Sequence, residues 1–201
     1  MRLENLTYQG PDLSDAEMLD LLPNNLSNLL EQINGFVQFH GGFHLFGACS
    51  EPGWHSLREA WHGELAACRH YDAIDSSDVP LGEDCLGFQF FLRAGKVIYL
   101  DGETGDVDSL ELGLGEFFSW IEDNPVENLG MHPLLQAIQE GKTPEPGQLI
   151  SEYPPFCTSQ SGEGVSLYAM DALERRSFLI KLHTQMKDLK DGEQLQFVVV
   201  D

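Results

Sequence analysis

Basic side chains are scarce in this chain. Its 201 residues carry 11 Lys and Arg against 33 Asp and Glu, a formal net charge of −22. A surface of that sign repels nucleic-acid phosphates and anionic membranes, because binding either requires clustered Lys and Arg. Also missing is any run of about 20 apolar residues, the length a helix needs to cross a bilayer. The opening MRLENLTYQG lacks the apolar stretch of a secretory signal. The four cysteines, Cys49, Cys68, Cys85 and Cys157, form no CxxC pair. Together these absences lead us to expect a reduced, cytoplasmic protein with no nucleic-acid or membrane partner.

Signatures of catalysis are absent too. The chain has no GxSxG, no GxGxxG and no Walker sequence. His40, His44, Cys49, His55, His62, Cys68 and His70 crowd one region, but zinc needs four ligands converging tetrahedrally, usually from short paired spacings. His40 and His44 flank a Gly-Gly loop, Cys68 and His70 stand too close, and no HExxH occurs. A calcium loop starting at Asp101 would place Gly105, Asp106 and Leu112 where an acid, a glycine and a glutamate belong. Trp54, Trp61 and Tyr71 read as core rather than as a groove. We assign no catalytic, cofactor-binding or metal-ligating residue, expect no cofactor, and keep an enzyme or small-molecule binder with an unrecognised site as an alternative.

Apolar residues make up 42% of the chain, enough to build a core without disulfides or metals. The most legible stretch is residues 80 to 121. Phe88 to Leu92 reads as a strand after Gly87, Ala94-Gly95 as a two-residue turn, and Lys96 to Asp101 as the return strand. Pairing Arg93 with Lys96 places Phe88, Phe90, Leu92, Val97 and Tyr99 on one face, and Phe91, Ile98 and Leu100 on the other. Both faces are apolar, so this hairpin must be central and covered on both sides. Gly102 and Gly105 supply a second tight turn, Asp106 to Leu112 a third strand, and Leu114 to Asp123 a helix striped by Leu114, Phe117, Phe118 and Ile121.

Around this centre, Ser14 to Glu17 is a capping box with Ser14 as N-cap. A stripe from Leu19 to Ile33 follows, broken by Pro23 and closed by Asn34-Gly35. Phe43 to Phe46 reads as a short strand. Ser56 caps a helix running through Leu57, Trp61, Leu65 and Cys68, and the acidic Asp72 to Asp84 reads as a surface loop. Pro133 suits the first turn of a helix over Leu134 to Ile138. Gly141 to Gly147 is the best linker. Beyond it come a strand at Val165 to Ala169, an N-cap at Asp171, a helix striped by Leu179, Leu182, Met186 and Leu189, and a last strand at Leu195 to Val200. Residues 178 to 182 alternate well enough to be a strand instead. The expected fold is α+β: a mostly antiparallel sheet covered by helices in a domain over 1–128, and a strand-helix-strand extension over 129–201 packed on it.

The order glycine, hydrophobic strand, valine-containing return strand, Asp-x-Glu-x-Gly turn and helix with paired phenylalanines resembles the SUKH superfamily. Here these are Gly87, Val97, Asp101 to Gly105 and Phe117-Phe118, with Asn34-Gly35 ending an upstream helix. The resemblance covers about residues 20 to 122. It implies non-enzymatic protein binding: an immunity-type protein that neutralises a toxin domain, or, as the fungal cell-wall members of the family imply, a regulatory scaffold or adaptor.

Charge distribution gives an independent indication. Between Lys96 and Lys142 there is no Lys or Arg but ten acids. Like charges held so close repel and modestly destabilise a fold, a cost that interspersed lysines would have reduced. Glu103, Asp106, Asp108, Glu111 and Glu116 are therefore the expected partner-binding residues, for a basic protein such as a toxin domain. Asp101 is set apart, because its place at a strand end suits it to stabilising the turn.

Overall fold

A computed structural model describes residues 5–187. Seven strands form one antiparallel sheet in sequence order: β1 (Leu6–Gln9), β2 (Phe36–Gln38), β3 (Phe43–Leu45), β4 (Val79–Asp84), β5 (Gln89–Arg93), β6 (Lys96–Leu100) and β7 (Val107–Ser109). Helices α1 (Ala16–Asp20) and α2 (Asn24–Gln32) join β1 to β2, and α3 (Leu57–His62) lies between β3 and β4. After the sheet come α4 (Leu114–Asp123), α5 (Pro125–Asn128) and α6 (His132–Gln139). A two-stranded sheet of β8 (Gln148–Tyr153) and β9 (Ser166–Asp171) leads into α7 (Ala172–Lys187). The fold is α+β as expected, and its C-terminal part contains strands and a helix. The strand expected at Leu195 to Val200, and Leu189, lie outside the described residues.

The central hairpin pairs in the register its alternation requires: Arg93 opposes Lys96, Leu92 Val97, Phe91 Ile98 and Phe90 Tyr99. Ala94 and Gly95 both take positive φ, the turn geometry that follows the twist of the two strands. One sheet face packs Phe43, Leu45, Phe90 and Val97 against Phe117 and Phe118 of α4. The other packs Phe91, Ile98 and Leu100 against Ala67, Tyr71 and Ile74, with Ile180 of α7 beside them. Leu134, Ile150, Leu167 and Leu179 join the larger cluster, so the C-terminal elements share its apolar core.

Four expectations need correction. Asp72 to Asp84 is not all surface loop, since Val79 to Asp84 is a wholly buried strand between β3 and β5. Its acids conceal this, because their partners lie far away in sequence. The N-cap of α1 is Asp15, whose carboxylate accepts from Met18 N, rather than Ser14. Ser56 does cap α3, accepting from Glu59 N, but the helix ends at His62, where Gly63 turns extended. The regular third strand is confined to Val107–Ser109: Glu111 bulges out at a φ of 55°, while Leu110 N donates to the Val97 carbonyl and Val97 N to the Leu112 carbonyl on either side of it. The segment 178–182 is helical, and Asp171 caps α7 by accepting from Leu173 N and Glu174 N.

Candidate functional site

The expected partner-binding acids divide into two environments. Asp106, Asp108, Glu111 and Glu116 are exposed. Asp108 stands on β7, the outermost strand of the sheet, and Asp106 on the turn before it. Glu111 follows the strand and accepts from Ser109 Oγ at 2.7 Å; Glu116 lies in the first turn of α4 and accepts from Gly113 N at 2.8 Å. None of the four forms an ion pair among the described residues, and Lys96 beside them gives its ammonium to the Glu111 carbonyl. Unpaired carboxylates along an edge strand also discourage pairing with another chain's strand.

Glu103 does not belong to that face, and its expected role is corrected. It is only 2% exposed. Its carboxylate accepts from Phe156 N at 3.1 Å and Cys157 N at 2.6 Å, tying the β8–β9 connection to the β6–β7 turn. Asp101 does hold the turn, its Oδ1 accepting from Glu103 N and Thr104 N at 2.8 and 3.0 Å. Gly105 closes the turn at φ 80°, where an added Cβ would lie 2.2 Å from the His183 ring.

A second constellation was not anticipated. Strand register aligns Val37, His44, Glu83, Gln89, Leu100 and Val107 in one row from β2 to β7, and directly opposed residues present their side chains to the same face. The row thus gathers His44, Glu83 and Gln89, all buried, beneath α7. Arg176 of α7 reaches down to Glu83 through Nε at 2.7 Å and Nη2 at 2.6 Å, and Nη2 also donates to the Trp54 carbonyl. His44 Nδ1 lies 2.9 Å from Glu83 Oε1, His44 Nε2 lies 2.8 Å from His55 Nδ1, and His55 Nε2 donates to the Asn34 carbonyl at 2.9 Å.

The protons of this chain can be counted. A carbonyl and a carboxylate close its ends as acceptors, leaving three gaps that each need one proton, whereas two neutral imidazoles supply two. The pair therefore holds one proton more than two neutral rings. Burial opposes that charge and lowers the His44 pKa, while the Glu83 hydrogen bond and charge push it back up. Geometry decides: a neutral pair would face two lone pairs across a hydrogen-bond distance. Burial and the neighbouring His44 push His55 down to about 4, so the pair resists a second proton. Burial pushes the Glu83 carboxyl up, but Arg176 and His44 outweigh it and hold it down to about 2.

Arg175, next along α7, is fully buried and makes a parallel anchor. It donates to the Leu86 carbonyl at 2.9 Å and to both Glu152 oxygens at 2.9 Å. Burial raises Glu152 to about 8; Arg175 opposes the rise and the Glu103 carboxyl reinforces it. Two adjacent arginines of a chain with 11 basic residues are thus withdrawn from the surface. The signal available in the sequence was that scarcity: of six arginines, only Arg175 and Arg176 are adjacent. Carboxylate and imidazole are groups of acid–base catalysis. Here the named atoms bond to one another below the surface, and the arrangement fastens α7 to the sheet.

Among the described residues no group of three or more His, Cys, Asp or Glu is placed to hold a metal ion, and no helix is long and apolar enough to cross a membrane. No family model, curated protein or solved structure matches the chain.

Proposed function

We propose that this chain is a protein-binding module of the SUKH type, and that it captures a basic protein partner, in the manner of an immunity protein neutralising a toxin domain. The observation that carries the reading is the set of four exposed acids with no ion pair among the described residues, Asp106, Asp108, Glu111 and Glu116, on an edge of the sheet in a chain of net charge −22. Complementary potentials accelerate encounter and fix orientation, and covering the partner's substrate site neutralises it without chemistry by this chain.

The motif residues behind the family resemblance each have a structural task, which supports the same reading. Gly87 takes a φ of 83° before β5, Val97 is buried in β6, Asp101 and Gly105 build the turn, and Phe117 and Phe118 are buried in α4. Affinity capture from native cell extract tests the proposal. The parent chain should retain a basic protein at low salt, and a variant with Asp106, Asp108, Glu111 and Glu116 changed to Asn or Gln should retain much less. Equal retention by both, or a captured partner that is acidic, would contradict it.

A further inference from the structure

A cleft of about 320 Å³ opens to solvent between α3, the loop at 50–53 and the first turns of α7. It uses none of the edge acids and does not depend on the reading above. Its size falls at the small end of ligand pockets. The carboxylates of Glu51, Glu59 and Glu64 line its exposed parts, and none of them forms an ion pair among the described residues. Such a cluster alone is an ordinary solvated surface. What distinguishes this one is Gln89.

Gln89 comes from β5, in the row that also holds Glu83, and lines the cleft while only 7% exposed. Its Oε1 is buried and has no hydrogen-bond partner among the described residues. Its neighbours explain why. Glu83, directly opposite, is held ionised and can only accept, so it offers no donor to the amide oxygen. Buried polar groups are nearly always satisfied, so an orphaned acceptor beside an open cleft marks a place where a donor is missing.

The missing donor can be specified. Three carboxylates select a cation, and an acceptor below them selects one with several N–H groups. Leu65 and Leu173 supply apolar surface for a stem, and Leu173 is among the few large apolar side chains left exposed. Arg176 also lines the cleft, but Glu83 matches its charge through two hydrogen bonds. We infer that this cleft is a binding site for an alkylguanidinium, whose planar fork donates to Gln89 Oε1 and to the surrounding carboxylates while its stem lies against Leu65 and Leu173. A guanidinium suits the site better than an ammonium, because its five N–H donors diverge in a plane and it is less strongly hydrated. The group belongs either to a free small molecule or to an arginine side chain on a peptide.

Titration calorimetry on the full chain tests this with butylguanidinium, neutral butylurea and a capped Gly-Arg-Gly peptide. Butylguanidinium should bind saturably and butylurea at least about ten-fold more weakly, since charge-assisted hydrogen bonds are the stronger kind. Gln89→Leu should weaken butylguanidinium about ten-fold, the loss of roughly one such hydrogen bond. Peptide binding as tight as butylguanidinium would assign the site to a protein-borne arginine; binding of butylguanidinium alone would assign it to a free cation. Should Gln89→Leu fail to fold, the surface variant Glu59→Gln/Glu64→Gln decides, and it too should bind several-fold more weakly. No saturable binding by either cation, equal binding of butylurea, or full affinity in the variants would overturn the assignment.

Discussion

Arg176 and Glu83, 93 residues apart in the chain, meet through two hydrogen bonds of 2.7 and 2.6 Å beneath α7. Neither side chain can be charged and alone at such depth, because an unpaired buried ion loses hydration without compensation. The pair makes the position of the C-terminal helix and the identity of the fourth strand a single condition. Arg176→Met removes the guanidinium and two hydrogen bonds from the buried Glu83 carboxylate, leaving it only His44, and should cost about 3–5 kcal/mol. Adding Glu83→Gln to that variant should recover part of the loss, so the double variant should cost less than the two single changes summed. Urea unfolding of the four proteins measures this; strict additivity would mean the two groups do not depend on each other.

The buried titrating groups act in opposite directions on pH stability. His55 is held at about 4 against an ordinary 6.5, so the fold prefers the neutral ring. Its contribution is fully present above 6.5 and is lost as pH falls toward 4. Glu152 is raised from 4.5 to about 8, so the fold prefers the protonated acid, and stability is lost as pH rises through that window. The slopes partly cancel in the parent, and single variants separate them. The stability of the parent relative to His55→Gln should increase from pH 4 to 6.5 and then level. Relative to Glu152→Gln it should decrease from pH 4.5 to 8. Thermal melts across pH measure both; parallel curves would show that neither group is displaced as described.

Phe117 lies at 0% exposure, with its ring 5.8 Å from that of Phe43 and 5.1 Å from that of Phe90. It joins α4 to β3 and β5 in the larger core cluster. Phe117→Ala should cost about 3–5 kcal/mol, the usual range for emptying a buried aromatic site. A melting temperature within a degree or two of the parent would contradict this packing.

Glu103 separates a structural acid from the exposed ones by its backbone bonds. Glu103→Ala leaves the amides of Phe156 and Cys157 without their acceptor and should destabilise by about 1–3 kcal/mol. Its effect should appear in melting rather than in partner association. A variant of parental stability would place Glu103 back among the solvated acids.

The sequence disclosed what depends on near neighbours. The β5–β6 register was legible because alternation on both strands and the Ala94-Gly95 turn agree, and α4 because its stripe and Pro125 are local. β4 was not, since Glu83 and Asp84 read as solvated acids until Arg176, His44 and Tyr99 arrive from distant segments. Glu103 failed for the same reason: the amides that bury it belong to residues 53 and 54 positions away. The buried row was hidden because a one-residue shift in any register would send His44, Glu83 or Gln89 to the opposite face. Of the expected site, Asp106, Asp108, Glu111 and Glu116 are exposed.

The most direct test of steering is the association rate of the captured basic partner, measured by stopped flow against ionic strength. Parent and the variant with Asp106, Asp108, Glu111 and Glu116 changed to Asn or Gln are compared. Removing four charges that repel one another should leave stability equal or slightly higher. At low salt the variant should associate about ten-fold more slowly, with dissociation changed less. The gap should close as ionic strength nears about 1 M, where the Debye length is about 3 Å. Equal association rates across the whole salt range would contradict the account and leave these acids as a solubility surface.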